Sequence, residues 1–537
     1  MTLRGRIWQI AAVLLLATAC GHDVIVEAPD RLKSVTVLGS SVTIPLKGSA
    51  ELPFRVRDEG FEFNYDVSSP DCQVRLRMTD GSAPVHFRLS TVVKTDEAGL
   101  YKAMLQDSAI EDDYVDDVCI VLVQRGESGN ESFVSSGGIE VRSEAAGFGT
   151  LVKTGLPVVY IDTENGKAIN SKTVEVPAAL QIKGYGGYPG QSSIKCNVRG
   201  RGNTTWTWPK KPYLVKLDQK TSLLGMPAHK RWVLLANFMD RTLMRNLVSM
   251  KVASMTSLAW TPRCVPVELV LNGKHVGSYL LIEQVRVDKN RINISEKNGY
   301  LLELDFHYDN KVQWIDHHGS CWGRSNGIPF GLKYPDPDEV TATQLSYIKK
   351  YVNDAAAALY GPDFKDPAKG YAAWIDVDSF VDYWIVFEVM GNHELSNPGS
   401  VFFHKDDGGK LVAGPCWDFD WGVLSYNTSP QAKTGFVNRN AIWYSRLFED
   451  PAFREKVRVR FQELLPQLET IPAYIDECEA LLRSSAELNF AMWDPSGDAT
   501  QNGGKIINGD ERITYSEAVA RIRKIYQERL QVIGSNL

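Results

Sequence analysis

The segment of this sequence best suited to chemistry is Trp417-Asp418-Phe419-Asp420-Trp421-Gly422, an acidic pair set among aromatics. Two carboxylates spaced by one residue face the same side of an extended segment, and burying them without a counter-charge is costly, so a cation partner is expected. Upstream, a strongly apolar run ends in Gly391-Asn392-His393-Glu394-Leu-Ser-Asn397-Pro-Gly-Ser400, which adds a third carboxylate, Glu394. Between the two lie Val401-Phe-Phe-His404, the turn Asp406-Asp-Gly-Gly409 and Leu411-Val-Ala-Gly414. That pattern predicts a β-hairpin folding both acidic segments onto one end of a sheet. Phosphoryl transfer needs such a set: one carboxylate orients the attacking hydroxyl, and another holds Mg²⁺ on the phosphates. A purely structural reading, an Asp pair neutralised by Arg or Lys, draws on the same residues.

Two cationic segments could serve the same chemistry. Arg199-Gly-Arg201-Gly-Asn203-Thr-Thr-Trp206 is followed by Pro209-Lys-Lys-Pro-Tyr213-Leu-Val-Lys216. Glycines let backbone N–H groups approach phosphate oxygens, and Arg201 and Lys216 supply charge. Taken alone this is equally a hairpin with a solvated basic tip. In Met239-Asp240-Arg241-Thr242-Leu-Met-Arg245-Asn246, Asp240 reads as a helix N-cap, and Arg245 reaches either a ligand or a carboxylate.

The elements that position these residues belong to two regions of the 537-residue chain, which is too long for one compact core. Residues 20–145 read as short strands (Ser34–Leu38, Val42–Leu46, Gln73–Met78, Val118–Val123), predicting an all-β immunoglobulin-like sandwich. A Gly-rich boundary is expected at Ser135–Gly138 and Ala145–Gly149. Residues 150–537 read as α+β. Strands are expected at Val158–Ile161, Tyr213–Leu217, Trp232–Leu235 and Val267–Leu271, and Asn272-Gly273 turns into Gly277–Ile282. Helices are expected around Leu243–Met250, over 341–359 and 445–490, and at Ala518–Ile525; a further apolar helix, capped by Asp378, ends at Gly391.

Composition narrows the partners. Net charge is −6 with no long basic run, which argues against a nucleic-acid groove. Arg4 and Arg6 precede an apolar stretch, Ile7–Ala17, and then Thr18-Ala19-Cys20. This predicts a signal peptide over 1–19, cleavage before Cys20, and a lipid anchor on Cys20 holding an exported chain at a membrane surface. Cys72 and Cys119 could staple the β-region. Cys196, Cys264, Cys321, Cys416 and Cys478 lack metal-ligand spacing and read as buried free thiols.

Taken in order, R-G-R-G-N-T-T-W…P-K-K-P-Y…K-L, L-L-G…W-V-L-L-A-N…D-R-T-L-M-R-N, G-S-Y-L-L-I-E-Q-V and W-D-F-D-W resemble the CotH (spore-coat protein H) kinase family across residues 150–425. The buried helix, acidic loop, hairpin and second Asp also follow the order used by protein kinases. The resemblance, here to a secreted lipoprotein of Bacteroidetes type, implies an atypical protein-kinase-like fold that uses ATP and Mg²⁺ (or Mn²⁺) to phosphorylate protein Ser or Thr. It implies Asp418 as metal-binding Asp with Asp420 as companion, Glu394 at the catalytic acid position, Arg201 and Lys216 on phosphates, and Glu283 in the wall of the nucleotide cleft. Two departures stand out. Glu394 replaces the usual Asp, and the Asn expected four or five residues later is Pro398 or Gly399. A rival reading is a surface-binding or adhesion protein that kept this fold without catalysis, with Trp206, Trp208, Trp322 and Trp421 as contact aromatics or as core. Asp418-x-Asp420 also matches a glycosyltransferase metal motif, a pattern too short to carry that reading.

Overall fold

The computed structural model describes residue 152 and residues 154–537, apart from 309, 322–326 and 497–506, together with the backbone of eight strands between 34 and 142. Those strands are β1 (Ser34–Val37), β2 (Ser40–Val42), β3 (Ala50–Arg55), β4 (Cys72–Arg77), β5 (Val85–Lys94), β6 (Leu100–Gln106), β7 (Val118–Arg125) and β8 (Glu131–Arg142). They pair antiparallel in the order β2-β1-β8-β7-β4-β5-β6-β3, so the N-terminal strands are present and form one sheet. Two details correct the sequence reading. Ser135–Gly138 lies inside β8 and is no linker. Cys72 pairs with Gln124 and Cys119 with Arg77, five residues out of register. At about 3.4 Å per residue that offset exceeds the reach of a disulfide. Cys20 lies outside the described residues.

The second region begins with a closed barrel, which the sequence did not announce. Its strands are β9 (Val158–Thr163), β10 (Val176–Lys183), β11 (Gln191–Gly200), β12 (Tyr213–Leu223), β13 (Met226–Leu235), β14 (Cys264–Leu271) and β15 (Lys274–Glu283), ordered β10-β11-β12-β13-β15-β14-β9. Alternation along the strands sorts the side chains. Val198, Val215, Leu217, Trp232 and Leu281 fill the interior. Leu214, Val233, Leu235, Leu280 and Ile282 face outward and join a larger core shared with the helical half. The β14–β15 hairpin turns at Asn272 (φ 51°) and Gly273 (φ 74°), the two left-handed positions a two-residue turn demands. Closure comes from a parallel pair, β9 with β14, matching Val158 to Glu268.

A five-stranded antiparallel sheet follows, ordered β17-β18-β16-β19-β20: β16 (Tyr300–Leu304), β17 (Gln313–Asp316), β18 (Ile328–Tyr334), β19 (Val401–Lys405) and β20 (Leu411–Ala413). The hairpin read from Val401–Gly414 is β19–β20. Helices pack around this sheet: α1 (Arg245–Ala253), α2 (Ala342–Tyr360), α3 (Val377–Val389), α4 (Tyr444–Leu447), α5 (Pro451–Leu468), α6 (Ile471–Met492) and α7 (Tyr515–Asn536). Thr341 and Gln344 cap α2 reciprocally, as Thr514 and Glu517 cap α7. The helical structure expected over 445–490 is divided among three helices, because Pro451 and Pro472 each open a new helix where a missing N–H costs nothing. Helix α3 is buried on nearly every side. Its cap is Asp376, whose carboxylate accepts from the Ser379 amide at 2.8 Å. Asp378 lies in the first turn and pairs with Lys456 at 2.7 Å.

Candidate active site

Helix α3 stops at Gly391, whose φ of +62° turns the chain out of the helix. The loop beyond it is locked before it reaches Glu394. The Asn392 carboxamide oxygen accepts from the Glu394 amide at 2.9 Å, while the Asn392 carbonyl accepts from Asn438 Nδ2 at 2.7 Å. The same Asn438, through its amide, and Val437 donate to the Glu388 carboxylate at 2.9 and 2.6 Å. Arg529 of α7 completes that buried knot at 2.6 Å. The C-terminal helix therefore helps fix the Glu394 loop.

The acidic pair is held from the opposite side. Asp418 adopts φ +64°, a left-handed conformation unusual for a residue with a Cβ, so the segment is bent and not extended as expected from the sequence. Phe419, between the two acids, is fully buried, with its ring 4.7 Å from Phe387 and its amide donating to Asn246 Oδ1 at 2.8 Å. Asn508 accepts from the Gly422 amide at 2.9 Å and donates to the carbonyls of Met239 (3.2 Å) and Asp420 (3.3 Å).

With the backbone so constrained, Glu394, Asp418 and Asp420 converge. Burial pushes the Glu394 carboxyl well above the usual carboxylate range, and Asp418, Asp420 and Asp305 push it further. Glu394 is half-buried as a residue, but its Oε2 is shut from solvent and has no hydrogen-bond partner. Burial also raises Asp420 to about 8, with Asp418 and Asp240 adding repulsion and Arg201 opposing it. Arg201 stacks over Trp417 at 5.7 Å. Oxygen donors of this kind suit a hard divalent cation. Among the described residues, no group of three or more His, Cys, Asp or Glu side chains is placed to hold a metal ion.

Four of the sequence candidates (Glu394, Asp418, Asp420 and Arg201) thus lie within electrostatic reach of one another, and two stand elsewhere. Lys216 is 3.8 Å from Glu175 and 41% exposed, further along the barrel's outer face. Glu283 is fully buried, but both oxygens are taken by Arg263 (2.8 and 3.2 Å) and Arg291 lies 3.7 Å away, so it pins the end of β15. Arg245 turns to carboxylates, pairing with both Asp240 and Asp510 inside the core. Asp240 does not cap α1 formally, yet its carboxylate accepts from the Arg245 amide at 2.9 Å. The aromatics largely pack inward: Trp208 is 6% exposed and stacks on Trp421 at 6.3 Å. Trp322 lies outside the described residues.

The sequence reading did not mention Asp305 or Asn508, and it quoted Asn392 and Asn246 only as members of their segments, with no role. Asp305 follows the apolar strand β16 directly, and an acid at that edge was a usable signal. The asparagines carry no spacing that marks them.

A family model described as CotH kinase protein matches residues 198–533. No curated protein matches the chain.

Proposed function

The chain belongs to the CotH kinase protein family, and from that premise we propose that it transfers a phosphoryl group from ATP, with Mg²⁺ or Mn²⁺, to a Ser or Thr hydroxyl of a protein. The observation carrying this reading is the convergence of Glu394, Asp418 and Asp420 beside Arg201. Asp418 and Asp420 would hold the metal, which when bound neutralises charge on the phosphates. Glu394, when ionised, orients the acceptor hydroxyl and takes its proton. Arg201 takes a phosphate oxygen, and Lys216 gives a second cation along the barrel face. Asn392 keeps the Glu394 loop from shifting, which matters because a misplacement of about 1 Å can cost about 10²-fold in rate.

Export and a lipid anchor at Cys20, with the N-terminal β-region as an immunoglobulin-like spacer, complete the proposal. The leader pattern supports the anchor, and the mass of the mature N-terminal peptide checks it.

A second reading, a surface-binding protein without catalysis, draws on one observation. Burial and the neighbouring acids push the Glu394 carboxyl well above the usual carboxylate range, which favours its neutral form, and a neutral acid accepts no proton. Calorimetric titration of the full chain with ATP and Mg²⁺, alongside phosphate transfer to a mixed protein substrate, separates the two. For the kinase, Mg²⁺-dependent nucleotide binding occurs and Asp418→Ala abolishes both binding and transfer. Binding without transfer, or no binding at all, leaves the adhesion reading.

A further inference from the structure

The stretch 421–438, which follows the acidic pair, contains only one short 3₁₀ turn, Pro430–Lys433. Its backbone groups therefore need partners from elsewhere. The near half is tied back to the acidic pair. The Thr428 hydroxyl donates to the Gly422 carbonyl at 3.1 Å, and the Ser425 hydroxyl donates to the Asn508 carbonyl at 2.8 Å. The far half is tied to α7. The fully buried Arg529 guanidinium donates to the carbonyls of Ala432 and Gly435, the latter at 2.8 Å. It also donates to the Glu388 carbonyl at 3.1 Å and to the Glu388 carboxylate at 2.6 Å. One residue earlier, Glu528 accepts from the Tyr426 hydroxyl at 2.6 Å.

Arg529 thus gathers three stretches that are remote in sequence: the end of α3, the turn 432–435 and, through the Glu388 carboxylate, the amides of Val437 and Asn438. From Asn438 the path to the acid is two hydrogen bonds long. Its Nδ2 donates to the Asn392 carbonyl at 2.7 Å, and the Asn392 carboxamide oxygen accepts from the Glu394 amide at 2.9 Å. Arg529, Glu388, Asn438 and Asn392 are all 0% exposed, so water does not compete for these bonds. A planar guanidinium can serve several acceptors at once in fixed directions, which a lysine ammonium cannot reproduce. Protein kinases commonly order the segment after their metal-binding Asp by phosphorylating it, and the added phosphate pairs with arginines. Here the arginine takes carbonyls and a carboxylate that the chain already carries.

We propose that Arg529 is a positioning residue for the Glu394 carboxylate: from the C-terminal helix it holds 432–438 in the shape that transfer requires, with no phosphorylation of the chain needed to reach it. This rests on the phosphoryl-transfer reading above and concerns how that site is kept assembled. Asn246 and Asn508 hold the acidic pair from the other side. Losing Arg529 therefore loosens the Glu394 loop and spares the place where metal and nucleotide bind.

The test is steady-state phosphate transfer from ATP with Mg²⁺ by the full chain, together with hydrogen exchange read by mass spectrometry. The native chain, Arg529→Gln, Arg529→Lys and Asn438→Leu are compared, each after a protein phosphatase has been applied and removed. Phosphatase treatment should leave the native kcat unchanged. Arg529→Gln should lower kcat by about 10²-fold, the scale of a 1 Å misplacement, with KM for ATP within about twofold of native. Asn438→Leu leaves Arg529 and all its acceptors in place, so it should reproduce that split without the loss of a buried charge. Arg529→Lys should recover only part of kcat. Peptides covering 424–438 and 392–396 should be protected in the treated native chain and should exchange faster in Arg529→Gln. If phosphatase silences the native chain, if both Arg529→Gln and Asn438→Leu keep the native kcat, or if KM for ATP rises in step with the fall in kcat, the inference falls and the kinase reading stands. A native chain that transfers no phosphate, treated or untreated, removes the kinase reading and the inference with it.

Discussion

Lys210 shows how much a single side chain's surroundings decide. In the sequence it is one of two lysines at what reads as a basic hairpin tip. In the fold it is 1% exposed, donates to the Ser278 carbonyl and to Asn489 Oδ1 (2.6 Å), and lies 4.5 Å from the Tyr279 ring. Burial lowers it from 10.5 to about 7, against the pull of Glu268. Between about 7 and 10.5 the unfolded chain keeps a proton that the folded chain has released. Stability contributed by this group therefore rises with pH across that window and is lowest below it, where the cation must be buried. At about 1.4 kcal/mol per unit the effect is on the order of 5 kcal/mol. Denaturant midpoints measured from pH 7 to pH 10 should rise in the native chain and flatten in Lys210→Met; equal slopes would refute the assignment. Nothing local in Pro-Lys-Lys-Pro separates the buried lysine from its neighbour Lys211. The difference arises because β15 and α6 close over one of them, and such contacts leave no trace in spacing. Glu394, Asp418 and Asp420 were legible because acids flanked by apolar runs stand out without any knowledge of the fold.

Among the elements, α1 connects the acidic pair to the end of the chain. The Arg245 guanidinium is fully buried between Asp240 and Asp510, and its Nε donates to the Val423 carbonyl at 2.8 Å, three residues past Asp420. Removing one partner of such a set strands a buried charge, a loss typically of about 3–5 kcal/mol. Asp510→Ala should lower unfolding free energy by that amount, read from urea denaturation, and should weaken Mg²⁺-dependent nucleotide binding in the fraction that remains folded. A change below about 1 kcal/mol would mean the triad is not what holds α1 in place. The helix was legible from Leu247 and Met250, although Leu243 precedes it at φ +57°, whereas its ion triad was legible only as an open choice for Arg245. Asp510 lies 265 residues away, so no periodicity connects the two.

For the molecule as a whole, the family match and the folded unit have different edges. The match opens at residue 198, inside β11, while the barrel opens at Val158. A chain begun at 198 lacks β9, β10 and most of β11, leaving β12 and β14 as bare edges over an exposed interior. Such edges recruit other strands. Expressed alone, residues 198–537 should aggregate, while 150–537 should melt cooperatively, as judged by light scattering and calorimetry. A soluble, cooperative 198–537 fragment would contradict the barrel. Five of its strands were legible from alternation and from Asn272-Gly273. Closure was not, because two strands about a hundred residues apart pair side by side with no turn to join them. That seam also sets a timetable. The first strand, β9, finds its second neighbour only after β14 has left the ribosome, and until then its outer edge stays open. Anything that binds exposed strand edges has that interval, and only that interval, in which to act on the nascent chain.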